Sequence, residues 1–252
     1  MPKVKRFDSL VFDGENDVRI LQRESIRHRD KIRIRDFNWT KKQKQFIDLA
    51  SSKDTKIILV KGPAGSSKTL ISVYSALHLL NDAKVSEIIY LRSAVESSDA
   101  RLGFLPGDAD QKLHFFNLPF MHKMEELVNE SDSKKLQKDE HISCYPVNFS
   151  RGMSWDGKCM ILDEAQNSSM REIVTVLTRL GVGSKCFVLA DPNQTDLKNG
   201  SRGGFNKIYE ALGDEKSKDN GIFTFEFSEE DIVRSDLVRF LVGKLSTIIS
   251  GQ

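Results

Sequence analysis

Residues 57–69 read IILVKGPAGSSKT, and this stretch decides the fold. Four apolar residues (Ile57, Ile58, Leu59, Val60) lead into a turn that contains two glycines and closes on Lys68-Thr69. That order predicts a buried strand, a phosphate-binding loop of Gly62, Pro63, Ala64, Gly65, Ser66 and Ser67, and a helix opening at Lys68. Gly62 and Gly65 let the backbone curl with its N–H groups pointing inward. The helix presents the positive end of its dipole to the same anion. Lys68 is then placed to reach the β- and γ-phosphates of ATP, and the Thr69 hydroxyl to sit on Mg²⁺. Ser67 stands where this loop pattern has its second glycine. If position 67 needs positive φ, its Cβ costs about 1–2 kcal/mol. If it has helical φ, the cost is only the room its hydroxyl takes beside a phosphate, to which it could donate.

The rest of the composition frames that reading. The 252 residues are 39% hydrophobic and 29% charged, with 38 basic against 36 acidic side chains and a net charge of +2. This is the balance of a folded globular chain, and overall charge makes no case for nucleic acid. One local patch is basic: Arg19, Arg23, Arg27, Arg29, Lys31, Arg33 and Arg35 against Glu24 and Asp30. It could steer a phosphate backbone, but KIRIR (31–35) alternates with period two, and a charge-guarded strand edge is the favoured reading. Cys144, Cys159 and Cys186 have no metal-like spacing, and the last two fall in apolar runs, as in a reducing compartment. There is no apolar run of transmembrane length and no signal-peptide core, so a cytoplasmic location without membrane contact is expected.

Residues 1–38 read as a basic N-terminal extension and 39–252 as one domain. Thr40 with Gln43 has capping-box spacing ahead of the stripe Phe46, Ile47, Leu49 and Ala50. A helix is expected over about 68–80, a strand over 88–92, and a long connection holding LGFLPGD (102–108). A further helix is expected around 120–128, a polar loop or helix end over 131–140, and a short strand over 146–149. CMILD (159–163) and KCFVLA (185–190) are buried strands. Ser169 with Glu172 opens a helix running through Leu180. IFTFEF (222–227) alternates, and Ser228 with Asp231 caps a final helix rich in Leu, Val and Ile. Strands too apolar to face water, alternating with helices, imply an α/β fold with a mostly parallel sheet covered on both faces.

The strand at 159–163 ends in Asp163-Glu164, four apolar residues followed by acids. Held beside the loop strand, Asp163 would bind Mg²⁺ through water, and Glu164 would orient and deprotonate the attacking water. A third strand ends LADPNQTD (189–196), so three strand tips converge where open parallel sheets bind ligands. Gln194 can both donate and accept, which suits sensing a γ-phosphate or a lytic water. Closing an Asp-Pro-Asn turn is its plainer role.

Taken together, GPAGSSKT (62–69), ILDEAQN (161–167) and LADPNQTDL (189–197) resemble the PhoH family of P-loop ATPases, relatives of superfamily 1 helicases. The stretch from Ile88 to Asp108, the segment NFSRGMSWDGKC (148–159) and EEDIVRSDLVRFLV (229–242) are similar to further parts of that family. Ser67, Ser93, Ser98 and Ala190 depart from it, each replacing one small residue by another. The resemblance implies a RecA-like domain that binds and hydrolyses ATP with Mg²⁺, a link to phosphate starvation, and coupling to RNA or single-stranded DNA. A weakly hydrolysing regulatory module acting through a protein partner is the alternative. By the same resemblance, Gln43 matches a glutamine that reads the adenine edge, with its capping role an equal contender. Arg234 matches a C-terminal arginine that would act as a finger on a neighbouring copy's ATP, against a plain role as a surface arginine. A homo-oligomer is therefore expected, with a ring of six copies as one form it could take.

Overall fold

A computed structural model describes residues 31–93, 109–150, 154–191, 194, 204–233, 235, 237–238, 240–241 and 244. In chain order these form α1 (Lys41–Ser51), β1 (Ile57–Lys61), α2 (Lys68–Asn81), β2 (Glu87–Arg92), α3 (Ala109–Leu127), α4 (Glu130–Lys138) and β3 (Ile142–Pro146). There follow β4 (Lys158–Asp163), α5 (Met170–Leu177), β5 (Lys185–Ala190), α6 (Gly204–Ala211), α7 (Glu215–Asp219) and β6 (Ile222–Glu226). All six strands are parallel, in the order β3-β2-β4-β5-β1-β6.

The continuous apolar runs are explained by burial on both faces. Ile58, Val60, Ile88, Tyr90, Ile161, Phe187 and Leu189 point into one core, which α1, α2 and α3 cover. Their neighbours Leu59, Ile89, Leu91, Met160, Leu162, Cys186 and Val188 point into a second core under α5 and α6. Successive side chains of a strand face opposite sides, so each strand serves both layers. Burial pushes the Cys159 thiol up to about 12, so this cysteine is an inert core residue.

Several sequence expectations change. Strand β4 is not beside β1: it pairs with β2 and β5, and β5 stands between it and the loop strand. The third helix begins well before Phe120, at Ala109. The polar stretch after Ser131 lies mostly in α4, capped by Asn129, whose side chain accepts from the Asp132 N–H. Residues 147–150 form a 3-10 turn, not a strand, because the ladder of β3 ends at Pro146. Helix α5 stops at Leu177, and Leu180 instead bridges to Trp155. Ser228 and Asp231 do form a capping box, but on a single 3-10 turn (Glu229–Asp231) that gives way to extended backbone at Ile232; the expected final helix comes later, with Leu237, Val238, Phe240, Leu241 and Lys244 helical.

The end of the basic segment packs onto the domain. Ile32 is buried, and its N–H and carbonyl both bond the Asn81 side chain, while the Arg35 N–H donates to the Leu127 carbonyl. Lys31, Arg33 and Arg35 face solvent. The period-two alternation is therefore that of an extended chain laid along α2 and α3, with no strand ladder. Arg19, Arg23, Arg27 and Arg29, the LGFLPGD segment and Ser98 lie outside the described residues. No helix among the described residues is long and apolar enough to cross a membrane.

Candidate nucleotide site

The loop after β1 is shaped by two left-handed residues, Gly65 (φ 85°) and Ser67 (φ 64°, ψ 23°). Such alternation turns successive N–H groups toward one concavity, a ready anion nest. Ser67 therefore takes the costly of its two conformations, and its side chain makes no capping bond to α2. Gly62 is required by close approach: a Cβ there would lie 2.7 Å from the Phe227 Cβ. Ser66 is buried and its hydroxyl donates to the Pro63 carbonyl, pinning the turn. The Lys68 ammonium folds back to donate to the carbonyls of Gly62 (2.7 Å) and Pro63 (2.9 Å). Burial lowers the pKa of Lys68, opposed by the charges of Asp191, Asp163 and Glu164.

Although β5 intervenes, α2 carries Thr69 across the strand tips so that its Oγ1 donates to Asp163 Oδ2 at 3.0 Å. The same oxygen accepts from the Tyr90 hydroxyl at 2.8 Å, and Oδ1 accepts the Glu164 N–H at 3.0 Å. Burial raises the pKa of Asp163, the Glu164 charge adds to this, and its three hydrogen bonds oppose it. Glu164 sits in the left-handed region (φ 54°), a second strained non-glycine at the site. Its Oε2 accepts from Gln166 Nε2 at 2.6 Å. That amide also donates to the Gln194 carbonyl, and its Oε1 accepts the Asp191 N–H. One buried glutamine thus ties the tip of β4 to the turn after β5. The Gln194 N–H closes that turn onto the Asp191 carbonyl, while the residue itself is exposed. Ser93, at the end of β2, donates to the Asn167 carbonyl.

Among these groups opens a cavity of about 500 Å³, within the range of small-ligand sites. Ala64, Gly65, Ser67, Lys68, Thr69, Asp163, Glu164 and Gln194 all border it, together with Phe37, Leu70 and the paired Lys123 and Glu126. Phe37 is fixed from behind: its ring packs on Trp39 (5.2 Å), which packs on Tyr74 (4.8 Å). Asp36 accepts hydrogen bonds from the Phe37 N–H, the Trp39 indole and the Tyr74 hydroxyl. Gln43 is not among the lining residues. It is 3% exposed, and its Oε1 accepts the Thr40 N–H while its own N–H donates to Thr40 Oγ1. Arg234 lies outside the described residues; Val233 before it lines the cavity and donates its N–H to the Gly65 carbonyl.

Tyr90, Gln166 and Phe37 escaped the sequence reading. Tyr90 carried a signal, since a hydroxyl in the run IIYL must find a partner once buried. Gln166 sat in view beside Asp163-Glu164, but nothing local tells that its amide reaches two strand tips.

The donor set suits Mg²⁺, which takes few protein oxygens and keeps several waters: one hydroxyl and one carboxylate, 3.0 Å apart. A six-stranded parallel sheet with this loop at one strand tip and paired acids at another defines a RecA-like P-loop NTPase domain. The chain belongs to the PhoH-like protein family, whose model matches residues 37–245. It is 34% identical over 200 residues to a PhoH-like protein of Bacillus subtilis (strain 168), covering 79% of this chain and 60% of that one. It is 32% identical over 245 residues to one of Mycobacterium bovis, covering 96% and 66%. It is 30% identical over 191 residues to Protein PhoH of Escherichia coli (strain K12), covering 75% and 52%. The matched regions thus span between about half and two thirds of these relatives' lengths. The family is P-loop ATPase-like.

Proposed function

We propose that this chain binds ATP with Mg²⁺ in the cavity and hydrolyses it. The observation that carries the reading is the meeting of Thr69, from the loop helix, with Asp163, from a strand two places away. Thr69 Oγ1 and Asp163 would hold Mg²⁺, the carboxylate through a metal-bound water. When bound, Mg²⁺ supplies neutralisation of charge on the phosphate oxygens. Lys68 exchanges the Gly62 and Pro63 carbonyls for β- and γ-phosphate oxygens. Glu164, oriented by Gln166, takes the proton from the attacking water, and Gln194 reads the γ-phosphate from the neighbouring tip of β5. Phe37 and Leu70 offer apolar surface to the base, while Gln43 is committed to its cap.

The coupling to RNA or single-stranded DNA is a further part of this proposal, supported by the exposed row Lys31, Arg33 and Arg35 and by the kinship with superfamily 1 helicases that the sequence resemblance implies. A ring-forming homo-oligomer is another. Val233, Leu237 and Phe240 are each more than half exposed, an apolar surface of the kind that partners cover. Arg234 of one copy would then serve the site of its neighbour, a contribution of about 10³–10⁵ in rate. We place the protein in the cytoplasm. The strained Ser67 favours the competing reading, a regulatory module that binds ATP and hydrolyses little.

The test is phosphate release from ATP, with and without single-stranded RNA or DNA, for wild type, Lys68→Ala and Glu164→Gln. Glu164→Gln should keep ATP binding and lose about 10²–10⁴ in turnover. Unchanged turnover in that variant removes Glu164 as the base, and wild-type binding without turnover favours the regulatory module.

A further inference from the structure

Tyr90 lies in the middle of β2, opposite Ile161 on β4 and Cys144 on β3, at 0% exposure. Its ring stacks on Phe120 of α3, with centroids 4.8 Å apart and planes 29° apart, so its direction is set by packing. From there the hydroxyl reaches up to Asp163 Oδ2. A carboxylate offers about four acceptor positions. Here three are filled: Thr69 and Tyr90 share Oδ2, and the Glu164 N–H takes one on Oδ1. Thr69 and the Glu164 amide both belong to parts of the site that must meet the nucleotide. Tyr90 does not border the cavity. It holds the carboxylate from behind, out of the sheet, whatever the loop does.

We propose that Tyr90 is a positioning residue for metal-bound nucleotide: its hydroxyl fixes the rotation of the Asp163 carboxylate, leaving one acceptor position on Oδ1 for a water of the Mg²⁺ shell. This rests on the ATP–Mg²⁺ reading above and deepens it. Without the hydroxyl, Asp163 keeps its place on β4 and its bonds to Thr69 and the Glu164 N–H, but gains a free Oδ2 lone pair and loses the one anchor that does not itself belong to the nucleotide-facing parts of the site. Binding of the Mg²⁺ complex then weakens, while binding of nucleotide without metal, which depends on the loop amides and Lys68, does not. A tyrosine that only satisfies its own buried hydroxyl would give neither effect.

The experiment compares wild type with Tyr90→Phe, which keeps the ring and its stack on Phe120. Fluorescent ADP affinity is measured in Mg²⁺ and in EDTA, and Mn²⁺ bound in the presence of ADP is read by electron paramagnetic resonance. Loss of a hydrogen bond to a charged group predicts that the ratio of the two ADP affinities falls about tenfold or more in Tyr90→Phe. The Mn²⁺ affinity should fall in parallel, with ADP affinity in EDTA unchanged. Equal ratios in the two proteins overturn the proposal, as does an equal loss with and without metal. If wild type itself binds ADP no better with Mg²⁺ than with EDTA, the ATP–Mg²⁺ reading fails, and this proposal with it.

Discussion

Ser67→Gly should make this protein more stable. Ser67 holds φ 64° and ψ 23° at the start of α2, where a residue with a Cβ costs about 1–2 kcal/mol relative to the right-handed region. Its hydroxyl makes no capping bond to the helix, so the substitution removes no hydrogen bond from the cap. Against the relief stands the greater freedom of glycine in the unfolded chain, about 0.5–1 kcal/mol. Taking the middle of each range, the net gain is about 0.75 kcal/mol, or roughly 1.5–3 °C in Tm for a chain of this size. Urea titration followed by circular dichroism, with the m-value checked for constancy, measures it alongside thermal unfolding. A midpoint that is unchanged or lower in Ser67→Gly refutes the reasoning, because strain would then not reside at this residue. ATP affinity in the same variant separates the two uses of the side chain. Unchanged or tighter binding marks the hydroxyl as a bystander, and weaker binding marks it as a phosphate donor.

Gln43→Ala should lower stability by about 1 kcal/mol through loss of the cap and leave the preference for ATP over GTP intact. A lost preference with unchanged melting would return Gln43 to the base. Phe37→Ala should weaken ATP but not inorganic tripolyphosphate, and an equal loss of both would make Phe37 a packing residue alone. Lys185 gives a pH signature. It is buried at the foot of β5, where its ammonium donates to the Ser52 and Thr55 carbonyls, and burial pulls its pKa from 10.5 to about 8. Between those values the unfolded chain binds more protons, so this residue's contribution to stability rises from pH 8 to about 10.5 and is lost as pH falls through 8. Wild type should therefore gain on Lys185→Met in urea midpoint between pH 7.5 and 10, and parallel curves would exclude the linkage.

The loop, the acid pair and every strand except β3 were legible because their signals are local: apolar runs of strand length, glycine in a turn, acids at a strand end. Lateral order was not. Parallel strands of equal hydrophobicity carry no mark of their neighbours, so Asp163 read as adjacent to β1 when β5 lies between them. Backbone angle at Ser67 was equally hidden, since serine is compatible with both conformations the sequence allowed. The early start of α3 went unread because Pro119 interrupts its pattern, although the helix continues through it. Conversely, KIRIR betrayed its period but not its partner: Ile32 satisfies its backbone on a side chain, Asn81, which no strand pattern encodes.

The strand inserted between β1 and β4 is also a spacer. Neighbouring strands lie about 4.8 Å apart, so the loop strand and the acid-bearing strand stand roughly 10 Å apart. Under the proposed function, that separation would leave room over the strand tips for a terminal phosphate and its metal. A gap measured in whole strands cannot be narrowed by small shifts of the sheet. Adjustment of this site to a different substrate would therefore have to come from side chains at the tips, and the sheet would set only the scale.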